Sequence, residues 1–169
     1  MQPDEGYRPW RESLTEANIH IISAQNPGNF DLTDKWTLLN GLRKALCERE
    51  QVSAELCAEI EHELLAREKL MSTGIGEQMA IPHAVIAGAC KLMTQCAILP
   101  EGIEFESIDG SKAHIVVMLV APKSALQAHL KVMASIAKVF YRAEARAKVI
   151  ASKTPAEALA AIMSVADHV

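Results

Sequence analysis

Along this chain apolar side chains recur at spacings of three and four in some stretches and alternate or run unbroken in others, so helices and strands are interleaved. Trp36, Leu39, Leu42 and Leu46 mark a first amphipathic helix, capped by Thr33 or Asp34 and running to about Glu48. Ser53 caps a second, with Leu56, Ile60 and Leu64 on one face and Glu55, Glu59 and Glu63 on another. Ser124 and Gln127 have the spacing of a capping box, and Leu126, Leu130, Met133, Ala137 and Phe140 carry the helical period onward. Two shorter helices are expected, one from about Ala143 to Ala151 and one after Thr154, where Pro155 suits the first helical position.

Strands are predicted around Ile19, Ile21 and Ile22, from Gln78 to Pro82, from Leu92 to Leu99 and from His114 to Ala121, with a short one near Ile103 to Phe105. Breakers separate them at Asn26-Pro27-Gly28-Asn29, at Ser72-Thr73-Gly74-Ile75-Gly76 and at Asp109-Gly110. The longest unbroken apolar run, Ile115 to Ala121, has seven residues. A spanning helix needs about 20, so this run reads as a buried strand and no membrane insertion is expected. The mixed order implies an α/β single domain, a sheet flanked by helices, whose strand order the sequence leaves open.

Composition narrows the class. With 169 residues, half of them hydrophobic, the chain can close a sizeable core. The polar start with Pro3, Gly6 and Pro9 reads as a flexible arm over residues 1–13, leaving 14–169 as the domain. No basic patch precedes an apolar stretch at the N-terminus, so a secretory signal is not expected and the address is cytoplasmic. Net charge is −4 and the basic residues are scattered, which speaks against nucleic acid as a partner. Cys47, Cys57, Cys90 and Cys96 fit neither zinc-ligand nor redox spacing and are expected to be free thiols, with no metal.

Of the six histidines, His20, His62 and His168 sit in positions without supporting chemistry. His83 follows Pro82 at the end of a predicted strand, where the backbone is held and the ring can be exposed, sharing a face with Met79 and Ile81. On position alone it is a strand-end histidine. His129 falls inside the apolar face of its helix, where an imidazole needs a polar partner. Arg67 lies near the C-terminal end of the second helix, where a cation suits the helix dipole. The loop after it offers Thr73 and the backbone N–H groups of Gly74 and Gly76 as candidate phosphate ligands. It lacks the third glycine of a dinucleotide fingerprint and the Gly-Lys-Ser/Thr ending of a P-loop.

Taken together, Glu68, six residues, then Ile75-Gly76-Glu77-Gln78-Met79-Ala80-Ile81-Pro82-His83-Ala84 resembles the phosphohistidine signature of the fructose- and mannitol-type enzyme IIA family of the phosphotransferase system. The likeness extends to Arg67-Glu68-Lys69-Leu70, to Ile103 through Gly110 and to Ala128-His129-Leu130, and covers the chain from about Asp34. The stretch from Arg67 to Pro82 looks most like the nitrogen-regulatory branch. Residues 1–33 match poorly, Ala84 stands where glycine is frequent, and His114 stands where an aspartate is expected.

The resemblance implies a mixed sheet flanked by helices, a phosphoryl group carried on His83, and Arg67 and His129 beside it. No cofactor is implied. Its implied partners are an HPr-like phosphocarrier protein as donor and, as acceptor, an enzyme IIB domain or regulated target proteins. The missing permease and IIB segments and the nitrogen-type likeness favour a regulatory role over sugar transport.

Overall fold

In the computed structural model residues 10–165 are described. Five helices and six strands follow in the order β1 (Ile19–Ile21), α1 (Lys35–Glu50), α2 (Ala54–Leu70), β2 (Gly74–Gly76), β3 (Met79–Ala80), β4 (His83–Ile86), β5 (Met93–Ile103), β6 (Ala113–Pro122), α3 (Leu126–Val139), α4 (Ala143–Ile150) and α5 (Pro155–Ser164). The α/β class and the mixed sheet flanked by helices are thus what the residue pattern predicts.

The sheet runs β1-β5-β6-β3-β2, with β4 continuing beside β6. β5 and β6 are antiparallel, whereas β1 pairs parallel to β5 and both β3 and β4 pair parallel to β6. The run in β6 is unbroken because both faces are covered. Val116, Met118 and Val120 face α1 and α2, alongside Leu38, Leu42 and Ile60. Ile115, Val117 and Leu119 face the opposite layer with Val132, Ile136 and Ile162.

Most caps are as the side chains dictate. Asp34 accepts from Thr37 N–H in a capping box, Ser53 accepts from Leu56 N–H, and Thr154 accepts from Glu157 N–H ahead of Pro155. The box expected at Ser124 is absent. A 3-10 turn, Lys123–Ala125, occupies that stretch and leads into α3 with no side-chain cap.

Four other expectations change. The strand read from Gln78 to Pro82 is split, because Pro82 has no N–H for the ladder, and His83 opens β4 instead of following a strand's end. The breaker stretch after α2 forms a short strand of its own, β2, antiparallel to β3. Cys47 and Cys57 are not free: the last turn of α1 and the first turn of α2 meet across their short connection, bringing the Cα atoms to 5.9 Å and joining the sulfurs in a disulfide. Cys90 and Cys96 are free. Finally, the loose arm over 1–13 does not hold for its last four residues, because the Trp10 ring is buried against Phe140 and its indole N–H donates to Ser135. Residues 1–9, the rest of that arm, lie outside the described residues, as does His168.

Candidate functional site

Three separate elements deliver the three predicted residues to one cleft. Parallel pairing sets His83 opposite Leu119 near the C-terminal end of β6. α2 runs past that end of the sheet and presents Arg67 in its last turn, and α3 comes back across it and presents His129. The cavity between them holds about 490 Å³, lined by Arg67, His83 and His129 with Leu126, Leu130 and Met133 as its apolar wall.

The hydrogen bonds define the state of the His83 ring. Arg67 Nε–H donates to His83 Nε2 at 3.2 Å, and an arginine nitrogen can only donate. On the other side of the ring, His83 Nδ1 lies 2.8 Å from the Ile81 carbonyl, which can only accept. Both contacts require the proton on Nδ1 and the lone pair on Nε2. Burial lowers the pKa of His83 and the Arg67 charge lowers it further, while the bond to Ile81 and the charge of Glu68 oppose them. The ring is therefore held neutral with Nε2 unprotonated and its electron pair turned toward Arg67, the protonation state a nitrogen nucleophile requires.

His129 lies beside it, ring centroids 5.3 Å apart. It is buried, and neither of its ring nitrogens has a hydrogen-bond partner among the described residues. Burial, aided by His83, pushes its pKa down to about 4. A buried imidazole whose two nitrogens are unpaired among the described residues, beside the His83 ring and the Arg67 guanidinium, has hydrogen-bonding capacity to offer an anion in the cleft. Arg67 keeps one guanidinium arm on the Met71 carbonyl at 2.9 Å, which holds its stem at the cleft mouth.

The loop expected to cradle phosphate does something else. Thr73 is buried, and its amide and hydroxyl both donate to the Glu68 carboxylate. Gly74 N–H is taken by the Ser72 hydroxyl. At Gly76, a Cβ would lie 2.9 Å from the Asp109 carboxylate, so the neighbour there is already an anion. Thr73 and Gly74 thus spend their donors on Glu68 and Ser72, Gly76 lies toward the other end of the sheet, and none of the three lines the cleft. Glu68 and its partner Lys35 had no role read from the sequence. Glu68 continues the apolar row Ile60, Leu64 on α2, a signal that was legible, but Lys35 lies thirty-three residues earlier. The other described histidines are elsewhere: His20 bonds Gln95, His62 is exposed beside Glu63, and His114 bonds the Leu99 carbonyl at the far end of β6.

Comparison with known proteins bears on this geometry. The family described as "Phosphoenolpyruvate-dependent sugar phosphotransferase system, EIIA 2" matches residues 27–165. A curated "Nitrogen regulatory protein" of Bradyrhizobium diazoefficiens is 35% identical over 130 residues, spanning 75% of this chain and 84% of that protein. Among solved structures, the nitrogen regulatory protein IIA-Ntr of Neisseria meningitidis superposes with a TM-score of 0.77 at 25% identity, covering 90% of this chain and 98% of that one. The mannitol IIA enzyme of Escherichia coli, solved in complex with phosphorylated enzyme IIB of the same system, shares the fold at a TM-score of 0.68 and 21% identity, covering 89% and 96%. No helix among the described residues is long and apolar enough to cross a membrane, and no group of His, Cys, Asp and Glu there could hold a metal ion.

Proposed function

The chain belongs to the EIIA type 2 family of the phosphotransferase system, and on that premise we propose that it is a phosphohistidine carrier whose acceptor atom is His83 Nε2. The observation that carries this reading is the pair of opposed hydrogen bonds on the ring, with Arg67 N–H at Nε2 and the Ile81 carbonyl at Nδ1.

The donor is an HPr-like phosphocarrier protein bearing its own phosphohistidine. The Nε2 lone pair attacks phosphorus, the new N–P bond forms as the donor's N–P bond breaks, and the donor ring takes back the electron pair. Nδ1 keeps its proton throughout, donating it to the Ile81 carbonyl. Arg67 leaves the nitrogen it contacts at rest and follows the phosphoryl oxygens, where its planar head can make two bonds. His129, neutral at rest, donates to an oxygen from whichever nitrogen carries its proton. Such a transfer relies on positioning and on charge neutralisation at the oxygens.

Incubation with phosphorylated carrier tests the assignment. The wild type takes up acid-labile phosphate and His83→Ala does not; phosphate retained by His83→Ala would remove His83 from the mechanism.

The role this serves is regulatory. A relative named for nitrogen regulation aligns over most of both chains, and phosphorylation adds close to two negative charges at the mouth of an apolar cleft, enough to change which target proteins bind there. The second reading, delivery of the phosphoryl group to an enzyme IIB domain, draws on the mannitol IIA structure with its IIB partner. Affinity capture with phosphorylated and unphosphorylated protein separates the two. Rapid discharge to a IIB domain as sole partner would favour transport.

A further inference from the structure

A carboxylate buried behind the cleft is tied to both sides of the His83 ring. Glu68 is shut off from solvent, as is the Lys35 ammonium 3.1 Å from it. Lys35 Nζ also reaches Glu106, whose carboxylate is exposed, at 2.6 Å. Thr73 supplies the remaining donors, its N–H at 3.1 and 3.2 Å from the two carboxylate oxygens and its hydroxyl at 2.5 Å. A buried ion pair is a weak source of stability compared with apolar packing of the same volume. What this one does is fix a peptide. The Thr73 carbonyl accepts from Ile81 N–H at 3.0 Å, and the Ile81 carbonyl in turn accepts from His83 Nδ1–H at 2.8 Å. The same carboxylate belongs to the residue after Arg67, whose Nε–H points at Nε2.

We infer that Glu68, clamped by Lys35 and Thr73, is a positioning residue that holds His83 in its Nδ1–H tautomer and so keeps Nε2 available to phosphorus. The chain runs from the carboxylate to Thr73, from Thr73 to the Ile81 peptide, and from Ile81 to the ring. If the Ile81 peptide drifts, its carbonyl no longer selects Nδ1–H, and the alternative tautomer puts a proton on the atom that must attack. Lys35 matters because an unpaired carboxylate would not stay buried in that position. The inference rests on His83 being the acceptor, but its primary measurement does not.

Thr73→Val removes the hydroxyl at nearly constant shape, and Thr73→Ser keeps it. Side-chain ¹⁵N shifts of His83 report the tautomer in the full chain with no phosphoryl donor present. Single-turnover transfer from phosphorylated HPr-like carrier, run over a range of carrier concentrations, separates maximal rate from half-saturation. In Thr73→Val the pure Nδ1–H pattern is expected to give way to a mixture. Its maximal rate falls about tenfold or more while half-saturation moves by less than about twofold, and Thr73→Ser restores both. Glu68→Gln, which keeps an acceptor for Thr73 but loses the Lys35 pairing, is expected to fall between the two. A Thr73→Val protein with the wild-type tautomer pattern overturns the inference, as does a rate loss that serine fails to restore. A wild type that takes up no phosphate would defeat the carrier reading alone, leaving the tautomer result to decide this one.

Discussion

His129 is buried and its ring nitrogens have no hydrogen-bond partner among the described residues, an arrangement that lowers stability by about 1–3 kcal/mol for each buried polar group left unsatisfied. His129→Leu, which fills the space with apolar atoms, is therefore expected to unfold at higher urea than the wild type at pH 7 while accepting phosphate more slowly. The pH dependence follows from the same residue. Its pKa is about 4 in the folded protein against an ordinary 6.5. The unfolded chain thus binds the extra proton first, and stability falls as pH drops through that window. Denaturation curves should show the gap between His129→Leu and wild type widening by on the order of 3 kcal/mol from pH 7 to pH 4. Arg67 answers to a different test. Arg67→Lys keeps the charge but not the planar fork, and initial transfer rates should drop about tenfold, with Arg67→Ala nearer a hundredfold.

Helices were legible one at a time because their evidence is local: a cap, a period of 3.6, a stop. Asp34, Ser53 and Thr154 cap where they stand in the sequence. What the sequence hid was contact between elements. Nothing near His83 says that the chain resumes pairing at that residue, since its partner Leu119 is far along the chain. The Thr73 donors looked free for phosphate because the Glu68 carboxylate reaches them only once α2 turns into β2. The cysteines are similar. A separation of ten is uninformative until the last turn of α1 meets the first turn of α2. Without reductant, thiol titration of the denatured chain should find two free groups, Cys90 and Cys96. The double variant Cys47→Ser, Cys57→Ser should lose roughly 2–3 kcal/mol, the chain-entropy value for so short a loop, with no loss relative to fully reduced wild type.

At the scale of the molecule, the site is a junction where α2, α3 and the end of the sheet meet, so chemistry at one atom can be felt in all three. A phosphoryl group on His83 would give His129 the partner it lacks and anchor α3 to the cleft. Hydrogen exchange should accordingly slow in α3 on phosphorylation and stay unchanged in α5, which packs on β1. The protein starts from a net charge of −4, so native electrophoresis should resolve the two forms. Leu70, Leu126 and Leu130 leave apolar surface exposed around the cleft, next to β4, which among the described residues pairs only with β6 and is four residues long. An apolar rim beside an open strand edge ordinarily invites other chains to add strands and grow into aggregates. Pro82 turns its carbonyl to Leu119 of β6, so the open side of β4 begins only at His83, and a strand of four residues leaves few backbone groups there for another chain to pair with. The shortness of β4 thus leaves the apolar rim of the cleft beside an edge that gives a second strand little to register on.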